Sequence, residues 1–247
     1  MIKKAIRTVI CAAVWIIIWE IASLLAGSAL ILPSPIETAA RLFELLGDGV
    51  YWKTVFLSLF RILRGMIYGT AGGVLLAVLS SISSNLASFL SPAVSVVRAT
   101  PVASFIILAM LWLGNSAMPP VISALMVLPV VYTEILSGIL DVKKELIEVA
   151  DVFEIRGLSR LFGVYIPSLR PYIRSALKNA AGLSWKAGVA AEVLSFTPLS
   201  IGREIQTAKN YLETTDMFAW TLTVVILSLA IEKLVFAEKK RKKVGEK

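Results

Sequence analysis

Apolar runs of bilayer length alternate along the chain with short connections rich in proline, glycine or charge. The first run, Val9 to Ala26, follows Lys3, Lys4 and Arg7 and precedes Gly27-Ser28-Ala29. Its flanks are those of a secretory signal. It exceeds the usual apolar region of about 7–15 residues, however, and holds Trp15, Trp19 and Glu20, so it predicts an uncleaved first span. Leu32-Pro33-Ser34-Pro35 cannot continue a helix. Ser34 then caps a new one, with Pro35 at its first position and Glu37 at its third. Ile36, Ala39, Ala40 and Phe43 recur there at helical spacing against Glu37, Arg41, Glu44 and Asp48. This is the pattern of a helix lying along the bilayer surface, closed by Gly47 and Gly49.

Tyr51 to Ile82 is a second run, longer than a bilayer requires, with Arg61 and Arg64 in its first part and small residues from Gly69 to Gly73. Ser80 to Asn85 is a polar connection. Leu86–Val97 and Arg98-Ala99-Thr100-Pro101 introduce a third span that ends near Gly114-Asn115, and Pro119-Pro120 opens a fourth that reaches Leu140. Residues 141–170 are too charged to cross a membrane and read as an amphipathic helical loop stopped by Pro167 and Pro171. Arg174 and Lys178 lead into a fifth span containing Trp185-Lys186. Met217 to Val235 is the sixth. The expected fold is all-α, a polytopic membrane helical bundle of about six spans forming one domain over residues 1–247.

Composition sharpens this picture. Hydrophobic residues make up 57% and charged residues 17%, and the mean hydropathy is +0.79. A net charge of +8 would suit nucleic acid only if it lined one polar face. Here Lys and Arg flank apolar runs and crowd the N-terminus, the 141–170 loop and the basic tail at 238–247. They therefore predict both termini on the cytoplasmic side, facing anionic lipid, with no nucleic acid. Cys11 is the single cysteine and histidine is absent, which removes the commonest general base and metal ligand; no metal site is expected. No internal repeat supports a secondary transporter. That reading, a membrane-embedded enzyme and a membrane scaffold without transport stand as the alternatives.

The charged loop carries the most specific pattern. Glu148-Val149-Ala150 and, in register, Ile166-Pro167 resemble the EAA loop of ABC importer permeases of type I. The family glycine is replaced by Glu154. Gly157 lies three residues later, which puts the bend either at Glu154 or, shifted, at Gly157. Leu32-Pro33-Ser34-Pro35, Ser58 to Gly65, and Trp185 through Val189-Ala190-Ala191-Glu192 are similar, in the same order, to the nitrate/sulfonate/taurine branch of that family. The resemblance implies import across the cytoplasmic membrane of a small solute, such as a sulfonate, nitrate, taurine-like compound or small heterocycle. It implies a permease homodimer, two cytoplasmic ATPase subunits and an extracytoplasmic substrate-binding protein. ATP and Mg would sit on the ATPase subunits and no cofactor on this chain, whose sequence lacks a Gly-x-x-x-x-Gly-Lys-Ser/Thr motif.

Within the resemblance, Glu148, Ala150, Asp151, Phe153, Glu154, Gly157 and Pro167 are the expected coupling residues. Leu146, Ala150 and Phe153 share one helical face, while Glu148 and Asp151 lie on another. Arg61, Arg64, Trp185 and Glu192 are the candidates for the translocation path or its gate. The three-residue spacing of Arg61 and Arg64 predicts a shared environment, in the path or as a snorkelling pair at the interface. Gly182, Gly188, Ala190 and Ala191 suit close packing with a second copy.

Overall fold

The computed structural model describes residues 2–236, all helices and connections; the basic tail at 238–247 lies outside them. Eleven α-helices follow one another: α1 (Ile2–Ala26), α2 (Pro35–Leu46), α3 (Gly49–Ile82), α4 (Ser84–Ala99), α5 (Val102–Ala109), α6 (Met118–Leu140), α7 (Lys144–Val152), α8 (Gly157–Arg160), α9 (Ile166–Ser195), α10 (Ile201–Asn210) and α11 (Thr214–Phe236). A π-helical turn, Leu161–Tyr165, joins α8 to α9.

Local chemistry sets several boundaries. At α2 the Ser34 hydroxyl accepts the Glu37 N–H at 3.1 Å while the Glu37 carboxylate accepts the Ser34 N–H at 2.8 Å, a closed capping box. Arg41 on α2 forms a two-pronged pair with Asp216 at the start of α11, its second prong 2.9 Å long, and also reaches Glu44. These carboxylates hold the Arg41 guanidinium well above its ordinary pKa.

The centre of the bundle is α3 against α6, and its contact is glycine-driven. A Cβ at Gly65 would stand 2.3 Å from the Pro120 carbonyl, at Gly69 2.6 Å from that of Ala124, and at Gly73 2.8 Å from that of Leu128. Residue numbers rise together along both helices, so α3 and α6 run parallel, backbone on backbone over three turns. Lipid offers no hydrophobic drive for helix association, and close approach of small residues supplies the attraction instead. Helix α9 runs antiparallel to both: Gly138 abuts the Tyr172 ring, Glu134 meets Ser175 and Asn179, and Ser123 donates to the Ser184 carbonyl. Each of the three apolar clusters includes residues of α9, among them Ala176, Trp185 and Ala187.

Three sequence expectations change. The third span is not straight: α4 and α5 meet at 100°. Thr100 before Pro101 is extended (φ −80°, ψ 131°), as a residue preceding proline must be, and the helix restarts at a new angle. Pro167 and Pro171 do not stop the loop. Pro167 stands in the first turn of α9, directly after the π turn, and Pro171 is carried inside the helix. Finally, among the described residues three helices (Gly49–Ile82, Met118–Leu140 and Thr214–Leu234) are long and apolar enough to cross a membrane, or four with the bent pair. The other two expected spans differ in kind. Ile10–Ala26 is a shorter apolar stretch, and α9 carries Arg170, Arg174, Lys178, Lys186 and Glu192.

Candidate functional site

The loop between α6 and α9 is a compact helical hook. Helix α7 ends in a complete Schellman motif: the Ile155 N–H reaches the Ala150 carbonyl at 2.8 Å and the Glu154 N–H that of Asp151 at 3.1 Å. This closure requires a left-handed residue at Glu154, whose φ is 51°. The bend therefore stays at Glu154, without the glycine that would adopt it freely, and Gly157 supplies a second left-handed turn with φ 57°. Asp151 accepts from Arg160 at 2.7 Å and ties α7 to α8. Ala150 is buried beneath α7, but the expected apolar face is not all buried. Helix α7 stops at Val152, so Phe153 swings out and is 73% exposed. Val152, Leu158 and Phe162 are exposed beside it, while Glu148 lies exposed on α7. The hook thus presents apolar knobs among acidic groups, and through the π turn it continues into α9 without a break.

A cleft of about 750 Å³ opens along α9 between α4, α6 and α11. Its polar lining includes Arg98, Glu134, Lys178, Asn179, Lys186 and Glu232. Glu134 accepts from Ser175 Oγ and Asn179 Nδ2, each at 3.2 Å, and Arg98 reaches Thr133 at 3.5 Å. Glu134 also lines a second pocket of about 470 Å³ that continues past Tyr172 to Lys143 and Leu146 at the hook. Gly182 sits in the cleft wall with no described atom near the place of a side chain.

The candidates from sequence divide. Trp185 lines this cleft with part of its ring, but it is a packing residue too: it is buried and donates to the Val224 carbonyl on α11 at 3.2 Å. Glu192 is away from the cleft, at the far end of α9, and completely buried. Arg61 and Arg64 do not share an environment. Arg61 donates to the Leu199 carbonyl at 2.9 Å, in the α9–α10 connection. Arg64 lies over the rings of Phe60 and Tyr68, 5.8 and 6.0 Å from their centroids, on the exposed side of α3. Of the small residues offered for a second copy, Gly188 and Ala191 are consumed inside the protomer, Gly188 against Ile62 and Ser123.

The profile of the family described as binding-protein-dependent transport system inner membrane component matches residues 69–237, from the middle of α3 through α11. The chain belongs to this family. It is an all-α integral membrane permease, a transport component and not itself a catalytic enzyme. Among its relatives, a putative aliphatic sulfonates transport permease of Bacillus subtilis (strain 168) is 26% identical over 225 residues, 90% of this chain and 81% of the relative. The taurine transport system permease of Escherichia coli (strain K12) is 24% identical, covering 87% and 80% of the two chains. A nitrate import permease of Synechocystis is 26% identical over 247 residues, covering 94% and 87%.

Several residues of the permease's clefts and seams escaped the sequence reading. Glu134 and Lys178 were visible as charges in or near apolar runs, yet nothing in spacing pairs α6 with α9 at 134, 175 and 179. Ser58, which donates to Glu192 at 2.9 Å, is an unremarked serine in an apolar helix. The recurrence of small or polar residues in α3 at spacings of seven, four and four, at Ser58, Gly65, Gly69 and Gly73, was the signal that could have marked this face as buried.

Proposed function

We propose that this permease forms, with a second copy of itself, the transmembrane path of an ATP-driven importer for a small anion, and that the hook at 141–165 seats in cytoplasmic ATPase subunits. The observation that carries this reading is the continuity of the hook with α9. A rigid, apolar-knobbed, acidic-rimmed helix on a polar loop is built to be gripped, and the helix that leaves it forms the wall of the cleft. Glu148, Asp151 and Glu154 rim the contact, Phe153 and Ala150 supply its packing, and Gly157 and Pro167 set its two corners. ATP and Mg belong to the partner subunits.

Physical chemistry supports the second copy. Lys186 lies on the exposed side of α9 along an open cleft, and charge facing lipid at depth is strongly disfavoured. A facing protomer converts that open side into a shared aqueous path. The cleft's cations, Arg98, Lys178 and Lys186, outnumber its acids, Glu134 and Glu232, a balance that leans toward anions, in keeping with the sulfonate and nitrate named for its relatives. Six spans, with α1 and α9 added to the apolar ones and both termini in the cytoplasm, place the hook inside and α2 and α10 outside. The solute is delivered by an extracytoplasmic binding protein.

Glu148→Lys tests the coupling. Reversing one charge at a partly buried interface costs on the order of 2–5 kcal/mol, and each 1.4 kcal/mol is about tenfold in affinity. The expected result is normal membrane levels, weakened co-purification of the ATPase and lost uptake. Full ATPase binding and full uptake would remove this role from the hook.

A further inference from the structure

At the end of α9 remote from the hook lies a buried polar cluster that neither the cleft nor the hook uses. Glu192 Oε2 accepts the Ser58 hydroxyl of α3 at 2.9 Å and the Gly202 N–H of α10 at 3.3 Å. Ser58 Oγ accepts the Ile201 N–H at 3.0 Å. One carboxylate and one hydroxyl thus bind α3, α9 and the first turn of α10 together. Glu192 Oε1 has no hydrogen-bond partner among the described residues, although it is buried. An orphaned oxygen of this kind is expensive, and an apolar side chain would fill the space without it. The group is therefore best explained by what it positions.

The surroundings are equally fixed. A Cβ on Gly202 would fall 2.4 Å from the Val193 nitrogen, so α10 lies backbone to backbone on α9. Between them Phe196 and Leu199 hold left-handed conformations, φ 50° and 47°. Such residues persist only where surrounding contacts over-determine them. Those contacts are Arg61 on the Leu199 carbonyl, Thr197 on the Asn115 carbonyl at 2.9 Å, and Ser200 on the Thr197 carbonyl at 2.7 Å. A hinge would not be built this way.

We propose that Glu192, through Ser58, is a positioning residue that welds α10 to α9 and α3, so that α10 moves as one body with the helix that leaves the hook. The inference rests on the hook being the ATPase seat. It adds that the nucleotide cycle is transmitted, through this weld, to a helix on the opposite side of the membrane.

Spin labels on Leu177→Cys in α9 and Lys209→Cys in α10, in a Cys11→Ser background of the assembled transporter, report the weld directly. With one doubly labelled protomer per dimer, the expected result is one narrow distance, the same without nucleotide and with ATP bound. Glu192→Ala should broaden it, reduce uptake by about tenfold, and leave basal ATP hydrolysis intact while abolishing its response to loaded binding protein. Glu192→Gln keeps the acceptor for Ser58 and Gly202 and should restore both the distance and the response. Ser58→Ala removes only the hydroxyl and gives the same loss in smaller measure, and it carries the test if Glu192→Ala fails to insert. A distance that changes with nucleotide in the unmutated latch, an unchanged distance and uptake in both variants, or Glu192→Gln as impaired as Glu192→Ala would each overturn the proposal. Failure of the ATPase to co-purify with the unmutated permease would instead strike the coupling reading, and the distance in the permease dimer would still judge the weld.

Discussion

Glu154 shows how much a single position can withhold. The spacing from Glu148 to Pro167 located the hook, yet the amino acid at the bend argued for moving it to Gly157. The Schellman hydrogen bonds from Glu154 and Ile155 overrule that argument and keep the bend in place. Left-handed backbone at a non-glycine residue costs roughly 1–2 kcal/mol, which two hydrogen bonds and the Asp151–Arg160 pair offset. Glu154→Gly should therefore raise the apparent melting temperature of the detergent-solubilised permease and preserve uptake. Gly157→Val places a β-branched residue at φ 57° and should lower ATPase co-purification severalfold. A thermal shift and a pull-down read both. Glu192 was legible as a buried acid in an apolar run. Its partners Ser58 and Gly202 were not: the bond from Ser58 spans 134 residues, and the bond from Gly202, ten residues away, depends on α10 folding back onto α9, and neither leaves a trace in local periodicity.

At the scale of helices, the order and most limits of the apolar elements could be read directly, because the bilayer sets a minimum length for a run that crosses it. The capping box of α2 was equally plain. The elbow between α4 and α5 was foreshadowed by Thr100-Pro101, but a 100° turn within apolar sequence depends on how α5 packs against α6 and α9. Glycine identifies contacts only when its neighbours are known. Gly69 faces the Ala124 backbone and Gly182 faces open space among the described residues. Gly69→Val should thus abolish accumulation of the folded permease. Gly182→Val should leave membrane levels unchanged and reduce uptake, since its side chain enters the cleft. Membrane immunoblots and solute uptake distinguish the two, and equal accumulation of both variants would contradict the α3–α6 packing described above.

For the whole molecule, the distribution of Lys and Arg predicts a topology that the helix directions accommodate: α3, α6 and α11 run one way and α9 the other. Reporter fusions after Asp48 and after Gly245 should mark opposite sides, the first external and the second cytoplasmic. An external C-terminus would reject the six-span arrangement. The packing of Gly138 against Tyr172 then has a mechanical meaning. It holds α9 on α6 close to the hook, and Gly188, packed on Ile62 of α3 and Ser123 of α6, holds it again 16 residues on, roughly 24 Å at 1.5 Å per residue. A helix clamped at two such points does not swing within its own protomer. A displacement of the hook would therefore be carried by the protomer as one block, and relative motion would fall at its seams with other subunits.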